Sequence, residues 1–335
     1  TYALNMCRLM SKMSIESVDL SFAATSDQDN KILVDNGVQK VIKDLVPYRS
    51  PGFTYKMNRA VRKLHTKITK KSLIDKIVKQ HSFDLVYFIT PSSIALELNA
   101  TPFIFTVWDF CHRDWPDFPE VRDNGVFEAR ENLYRNTLPR ALNVVVDSKD
   151  LSEKAQKYYG VEKKKIVVIP FLMPEVENIN INKNVVSKYY IENPYIFYPA
   201  QFWEHKNHKY IIEAISILKH KHNKVINVVF CGRDFGSLKS VQELAKERNV
   251  SDLVKYLGFI PKEDVWGLYK NALALVMPTY FGPTNIPPLE ALAVECPVIY
   301  SDFPSFRKEF EEVAQFVDLE KPESLVEILL SERKD

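Results

Sequence analysis

Between Ala274 and Ala293 the chain carries a pattern that few folds accommodate. Ala274-Leu275-Val276-Met277 is a short apolar run, the signature of a strand buried on both faces. The stretch that follows holds Gly282, Asn285 and prolines 278 and 283. Leu289, Leu292 and Ala293 then recur at helical spacing behind Pro287-Pro288, a pair suited to a first helical turn. Strand, short loop and helix in that order aim free backbone N–H groups and the positive end of the helix dipole at the mouth of the loop. Phosphate or a sugar hydroxyl is the natural guest there, with Glu290 beside it in the first turn.

The alternation extends along the chain. Tyr2 to Met13 reads as a helix, and Ser17 to Phe22 alternates like a strand. Residues Gln28 to Ser50 stay ambiguous, and Tyr55 to Gln80 has helical spacing with basic residues between the apolar ones. Strands are expected at Asp84–Thr90, Pro102–Val107, Asn143–Val146 and Lys165–Ile169, with helices at Glu128–Leu138 and Leu151–Tyr159, the latter ended by Gly160. The second half repeats the scheme. Its strands are expected at Tyr195–Tyr198, Ile226–Phe230, Val254–Leu257, Leu273–Met277 and Pro297–Tyr300. Its helices are expected at His208–Leu218, Leu238–Glu247, Lys262–Lys270 and from Pro287. Strands separated by helices argue for α/β architecture with parallel sheets. We expect two doubly wound, Rossmann-like domains facing a central cleft, spanning 1–175 and 194–335, joined by a linker over 176–193 in a stretch that carries Pro174, then asparagines and acidic residues, with little periodicity.

With 335 residues, 46% hydrophobic, the chain is long enough for two such cores, and a net charge of +2 gives no global case for nucleic acid. Local charge is uneven. Segment 40–80 holds twelve Lys/Arg against Asp44 and Asp75. Two readings stand for it, a solvated helix face or a surface for an anionic membrane or acceptor; no base-stacking or finger motif supports nucleic acid. The four cysteines are far apart, without CxxC or His-rich pairing, which argues against zinc and for a reducing compartment. No apolar run reaches the length of a membrane span, and nothing resembles a signal peptide.

Three strand-end loops are expected to converge on one ligand: Pro199 to His208, Gly232-Arg233-Asp234, and the stretch around Gly282. Lys206 would place a point charge on a phosphate, although a lone lysine there is more often a solvated one.

These loops, with Tyr198 to His208, Phe281 to Ala291 and Cys296-Pro297-Val298-Ile299, resemble glycosyltransferase family 4, the group 1 glycosyltransferases of surface polysaccharide and lipopolysaccharide synthesis. Thr106-Val107-Trp108-Asp109, His112-Arg113-Asp114-Trp115-Pro116, Asp147-Ser148, Tyr159-Gly160-Val161 and Lys165 to Pro170 follow in the family's order. The resemblance implies the GT-B fold and a metal-independent, cofactor-free retaining hexosyltransferase. Its co-substrate would be a nucleotide-diphosphate sugar, with GDP-mannose favoured, and its acceptor a glycan or lipid-linked sugar. It also implies a cytoplasmic setting, peripheral at the inner face of the membrane. Lys206 matches the phosphate-binding lysine, Glu290 the second of two glutamates, and Thr284, Asn285 and Ile286, with Pro283, the donor-sugar loop.

Three positions depart from the family. The phosphate-binding arginine falls at Gln201, leaving Arg233 beside Gly232 as the substitute cation. The first glutamate falls at Gly282. The usual first-domain histidine falls at Trp108, a sugar platform or a packed aromatic, with Asp109 and His112 the nearest polar groups. Asp109, His112 and Lys206 are thus the catalytic candidates, and Trp108 and Arg113 the acceptor-side ones. The family's first strand and Gly-rich loop are expected to precede Thr1. The rival readings are a non-catalytic nucleotide-sugar-binding subunit and a GT-B nucleotide-sugar epimerase. A dinucleotide enzyme is disfavoured, since no G-x-G-x-x-G occurs.

Overall fold

The computed structural model describes residues 2–13, 16–43, 45, 72–171, 180–282 and 286–331. Most of the basic segment 40–80 lies outside the described residues, as do Pro283, Thr284 and Asn285; of the helix expected over Tyr55–Gln80 the described end, Leu73–Gln80, is helical. Two units are present, one made of residues 1–110 and 128–170, the other of residues 111–127 and 171–335.

In the first unit, β1 (Phe22–Ala23) pairs with β2 (Val41–Ile42), and a parallel sheet runs in the order β3 (Val86–Phe88), β4 (Phe103–Thr106), β5 (Asn143–Val146), β6 (Ile166–Val168). Of the expected strand Ser17–Phe22 only the end is paired. Phe103, Phe105, Val144 and Val146 are buried and share a core with Tyr134 of the helix Val126–Thr137 and with Leu138 just after it. The helix Lys149–Tyr159 starts on Ser148, whose hydroxyl accepts from the Leu151 N–H at 3.2 Å, and stops at Gly160, left-handed at φ 65°.

The second unit is a six-stranded parallel sheet: β7 (Tyr195–Pro199), β8 (Asn227–Cys231), β9 (Val254–Tyr256), β10 (Leu275–Met277), β11 (Val298–Ser301) and β12 (Ala314–Val317). Its spatial order is β12-β11-β10-β7-β8-β9. The strand order reverses between β7 and β10, so their ends form the crevice in which open α/β sheets bind ligands. Tyr195 to Tyr198, Val228 to Phe230 and Leu275 to Met277 are almost fully buried, as expected of strands covered on both faces. Helices over His208–His222, Leu238–Glu247, Lys262–Asn271 and Ile286–Ala293 flank the sheet. The helix Pro304–Phe310, β12 and the helix Pro322–Ser331 complete it without having been foreseen.

The division differs from the expected one in two places. Residues 111–127 group with the second unit although they follow β4 in sequence. Within the expected linker, the described residues from 180 pack on the second unit. Asn182, Lys188 and Tyr189 all bond the Asp264 carboxylate at 2.6 Å. Burial raises that carboxyl's pKa, but the three donors outweigh it and the net shift is downward. No helix among the described residues is long and apolar enough to cross a membrane.

Candidate functional site at the strand ends of the second unit

The strand-end loops of β7, β8 and β10 are tied to one another. Phe202 N–H donates to the Arg233 carbonyl at 2.9 Å, while the Phe202 carbonyl accepts from Phe235 and Ser237 N–H, each at 3.3 Å. Gly232 makes this approach possible. Its φ is 146°, and a Cβ there would stand 2.3 Å from the Ala200 carbonyl oxygen. The His205 carbonyl accepts from Tyr280 N–H at 2.9 Å and from the Thr279 hydroxyl at 3.2 Å, joining the β7 loop to the β10 loop. The Thr279 hydroxyl also reaches the Phe281 carbonyl at 2.5 Å. Lys206 Nζ lies 3.5 Å from the same Phe281 oxygen, so the lysine head stands at the seam between β7 and β10.

Behind Lys206 the helix His208–His222 begins, entered through Asn207 in the left-handed conformation at φ 55°. His208 is buried, stacked on Phe202 at 4.1 Å between ring centres and lying 4.8 Å from Tyr198. Burial drives its pKa down to about 3, with the Lys206 charge adding to the fall. His208 is therefore a neutral packing residue at physiological pH.

Glu290 sits in the second turn of Ile286–Ala293, largely buried, with Tyr269 Oη donating at 3.4 Å. Burial raises its pKa, against the opposing Lys262 charge and the tyrosine bond. The Cys231 thiol at the end of β8 is pushed up to about 12 by burial and then by the Glu290 charge, which places that carboxylate beside the β8 loop. Pro287 and Pro288 carry no N–H, so the amide donors of this helix's first turn are Ile286 and Leu289. The helix end thus offers its dipole and fewer amides than the sequence pattern alone suggests.

Gln201, Lys206, Gly232, Arg233, Gly282, Ile286 and Glu290 are brought to one set of strand ends. Arg233 is exposed, its guanidinium 5.5 Å from the Phe259 ring centre. Asp234, next to it, caps the turn by accepting from Gly236 N–H at 2.8 Å and Leu238 N–H at 3.2 Å. Gln201 accepts from Trp203 Nε1 at 3.0 Å, and Trp203 stacks on Phe235 at 4.2 Å.

The remaining candidates are not part of that set. Asp109, at the end of β4 in the first unit, is ion-paired with Arg130, which also donates to its carbonyl at 3.1 Å. Trp108 is half-buried in the same unit. His112 and Arg113 lie on the short helix Cys111–Asp114 of the second unit, where His112 is fully buried 5.7 Å from the Phe127 ring.

Two residues that sequence reasoning passed over belong to the site's frame. The Glu120 carboxylate accepts the His205 backbone N–H at 3.0 Å and pairs with His205 Nδ1. His205 stacks on Phe281 at 3.9 Å and 11°. His205 stood in view beside Lys206, whereas Glu120 is 85 residues away with no local signal.

Residues 1–171 match the family model described as Glycosyltransferase Family 4, and residues 181–331 the one described as Glycosyl transferases group 1. The chain belongs to glycosyltransferase family 4, and its second half is similar to the group 1 glycosyltransferases. Among curated proteins it is 28% identical, over 186 residues, to the O-antigen chain mannosyltransferase RfbU of Salmonella typhimurium, covering 56% of this chain and 49% of that one. The chain spans about half the length of the curated relatives it matches. Among solved structures, Anabaena Alr3699/HepE in complex with UDP and glucose superposes with a TM-score of 0.72 at 14% identity, over 99% of this chain and 85% of that one. WaaG, a glycosyltransferase involved in lipopolysaccharide biosynthesis, gives 0.65 at 16%, over 88% and 79%. At these identities the likeness shows the fold, which is GT-B.

Proposed function

We propose that this protein is a glycosyltransferase of surface polysaccharide or lipopolysaccharide synthesis. It would move a hexose, mannose by preference, from a nucleotide-diphosphate donor such as GDP-mannose to a glycan or lipid-linked acceptor, with retention and without a metal. The carrying observation is the place of Lys206: a lysine at the strand-order reversal, between two tied loops and just ahead of the N-terminus of the helix His208–His222. A diphosphate at that point meets a point charge and a helix dipole, which stabilise it more as it departs with developing charge. Glu290, ionised above its raised pKa, is the acceptor group for ribose hydroxyls on the Cys231 side. Thr284, Asn285 and the backbone from Pro283 to Ile286 are assigned to the donor sugar, taking over from the glutamate that Gly282 replaces. Trp108 and Arg113 are proposed for the acceptor side; Asp109 and His112, catalytic candidates from the sequence, are proposed to brace their surroundings, since Arg130 pairs with Asp109 and His112 is buried. Family membership supports this reading, and the mannosyltransferase relative supports the choice of sugar. A cytoplasmic location, with segment 40–80 against the anionic inner face of the membrane, completes it.

The test is a panel of nucleotide sugars scored by thermal stabilisation, then transfer and donor hydrolysis with the best binder. Lys206→Ala should weaken donor binding about tenfold, the scale of one charge-assisted bond; unchanged affinity would remove the phosphate from Lys206. Donor binding without turnover would favour the non-catalytic subunit. For the membrane contact, sedimentation with neutral and anionic liposomes decides, and equal binding at low salt would end that part.

A further inference from the structure

We propose that Glu120 is the positioning residue of the donor-phosphate loop, acting through His205 on Lys206 and Phe281. The inference rests on the strand-end site binding a nucleoside diphosphate. Its ground is independent of that reading, since it lies in how one buried carboxylate fastens three chain segments. The Glu120 side chain is 10% exposed and that of His205 7%. Glu120 takes both the backbone N–H and the ring Nδ1 of His205, so it fixes the position of residue 205 and the rotation of its imidazole together. Facing a carboxylate, Nδ1 must carry its proton, which sets the ring's tautomer. Burial alone would raise the Glu120 pKa, but the bonds from His205 and the backbone outweigh it, and the carboxyl stays ionised.

From His205 the constraint spreads both ways. The ring lies flat on Phe281, and its carbonyl holds Tyr280 N–H and the Thr279 hydroxyl, so the β10 loop is clamped from two sides. Lys206 is the next residue, its Nζ at the Phe281 oxygen. Phe118, two residues before Glu120, seals the pair with its ring 5.1 Å from Tyr280, 5.4 Å from Phe281 and 6.4 Å from His205. A largely buried carboxylate whose bonds beyond its own backbone both go to one residue of a binding loop defines that loop's geometry strongly; removing it releases the loop and leaves buried donors unpaired. A carboxylate so close to a phosphate site would repel the ligand if it were not spent on His205. Its purpose there is therefore to hold the loop.

The experiment uses the whole chain and the probes GDP, UDP and inorganic pyrophosphate, with dissociation constants measured by calorimetry well below the unfolding temperature. Glu120→Gln keeps the size and one acceptor oxygen but loses the charge, and the expected result is a rise of about tenfold in the Kd of the probe the wild type binds best. Asp264→Asn, another buried carboxylate with three partners in the same unit but none in these loops, is the control; it is expected to lower stability and leave the Kd within twofold. If Glu120→Gln folds poorly, His205→Gln, which leaves the backbone bond in place, should give the same direction of change. Wild-type binding with an unchanged Kd in Glu120→Gln, or an equal loss in Asp264→Asn, overturns the positioning role alone. A wild type that binds none of the three probes overturns the phosphate site itself, and the positioning role with it.

Discussion

His208 allows a prediction whose size follows from the structure. The ring is buried between Phe202 and Tyr198, and its pKa falls from the ordinary 6.5 to about 3. In the unfolded chain the imidazole takes up a proton near pH 6.5, and in the folded one it does not until about pH 3. Between those values the unfolded state binds one more proton, so stability rises with pH and is lost as pH falls. The slope is about 1.4 kcal/mol per pH unit. From pH 7.5 to pH 5 this group should therefore remove about 2 kcal/mol of stability. The matching variant is His208→Phe, which keeps a ring in the stack and cannot titrate. Its packing offset is constant with pH, so the difference between the two proteins isolates the histidine. Urea unfolding would be followed by tryptophan fluorescence in a Trp108→Phe background, where Trp115, Trp203 and Trp266 all report the second unit. The wild type should lose ground to the variant steadily below pH 6.5. A difference that stays flat to within about 0.5 kcal/mol from pH 7.5 to pH 5 would refute the buried, neutral imidazole.

Gly232→Ala should cost about 2–4 kcal/mol, read as a lower urea midpoint, because the new Cβ meets backbone atoms of Ala200 that cannot turn aside; an unchanged midpoint would mean the loops separate freely. Gln201→Arg restores the cation that the family carries and should tighten nucleoside diphosphate binding about tenfold in calorimetry. Weaker binding would show that the Gln201–Trp203 bond organises the loop more than a second charge helps it. Donor affinity should fall as pH is lowered through the raised pKa of Glu290, and Glu290→Gln should abolish that dependence; a pH-independent wild type would place the ribose elsewhere.

The alternation of buried strands and helices was legible because the central strands of the second sheet are covered on both faces and leave unbroken apolar runs, as at Ile196-Phe197-Tyr198 and Leu275-Val276-Met277. Edges were less so. Ser17 to Phe22 alternates well, yet only Phe22–Ala23 is paired, since a two-stranded ladder offers no second neighbour. The end of the chain escaped notice because Ala314–Val317 is an edge strand, with Gln315 exposed and only Val317 fully buried. The linker expectation followed proline and asparagine content, whereas Asn182, Lys188 and Tyr189 are held by one carboxylate far along the chain.

The candidate site divides in the same physical way. Gln201, Lys206, Gly232, Gly282 and Glu290 sit within a few residues of a strand end or a helix start, so the secondary-structure pattern delivers them to one crevice. Residues that hold such a crevice rigid obey no such rule. Glu120 comes from a segment that follows β4 in sequence yet packs in the other unit, and its partner is chosen only by the fold. Asp109 and His112 show the converse. Asp109 has the strand-end address that points to chemistry, but Arg130 occupies its carboxylate, and His112 is sealed from solvent. Position in a strand-end loop is thus enough to nominate a residue. Whether its polar atoms are already spent on the protein's own groups separates those that can meet a ligand from those that brace the ones that do.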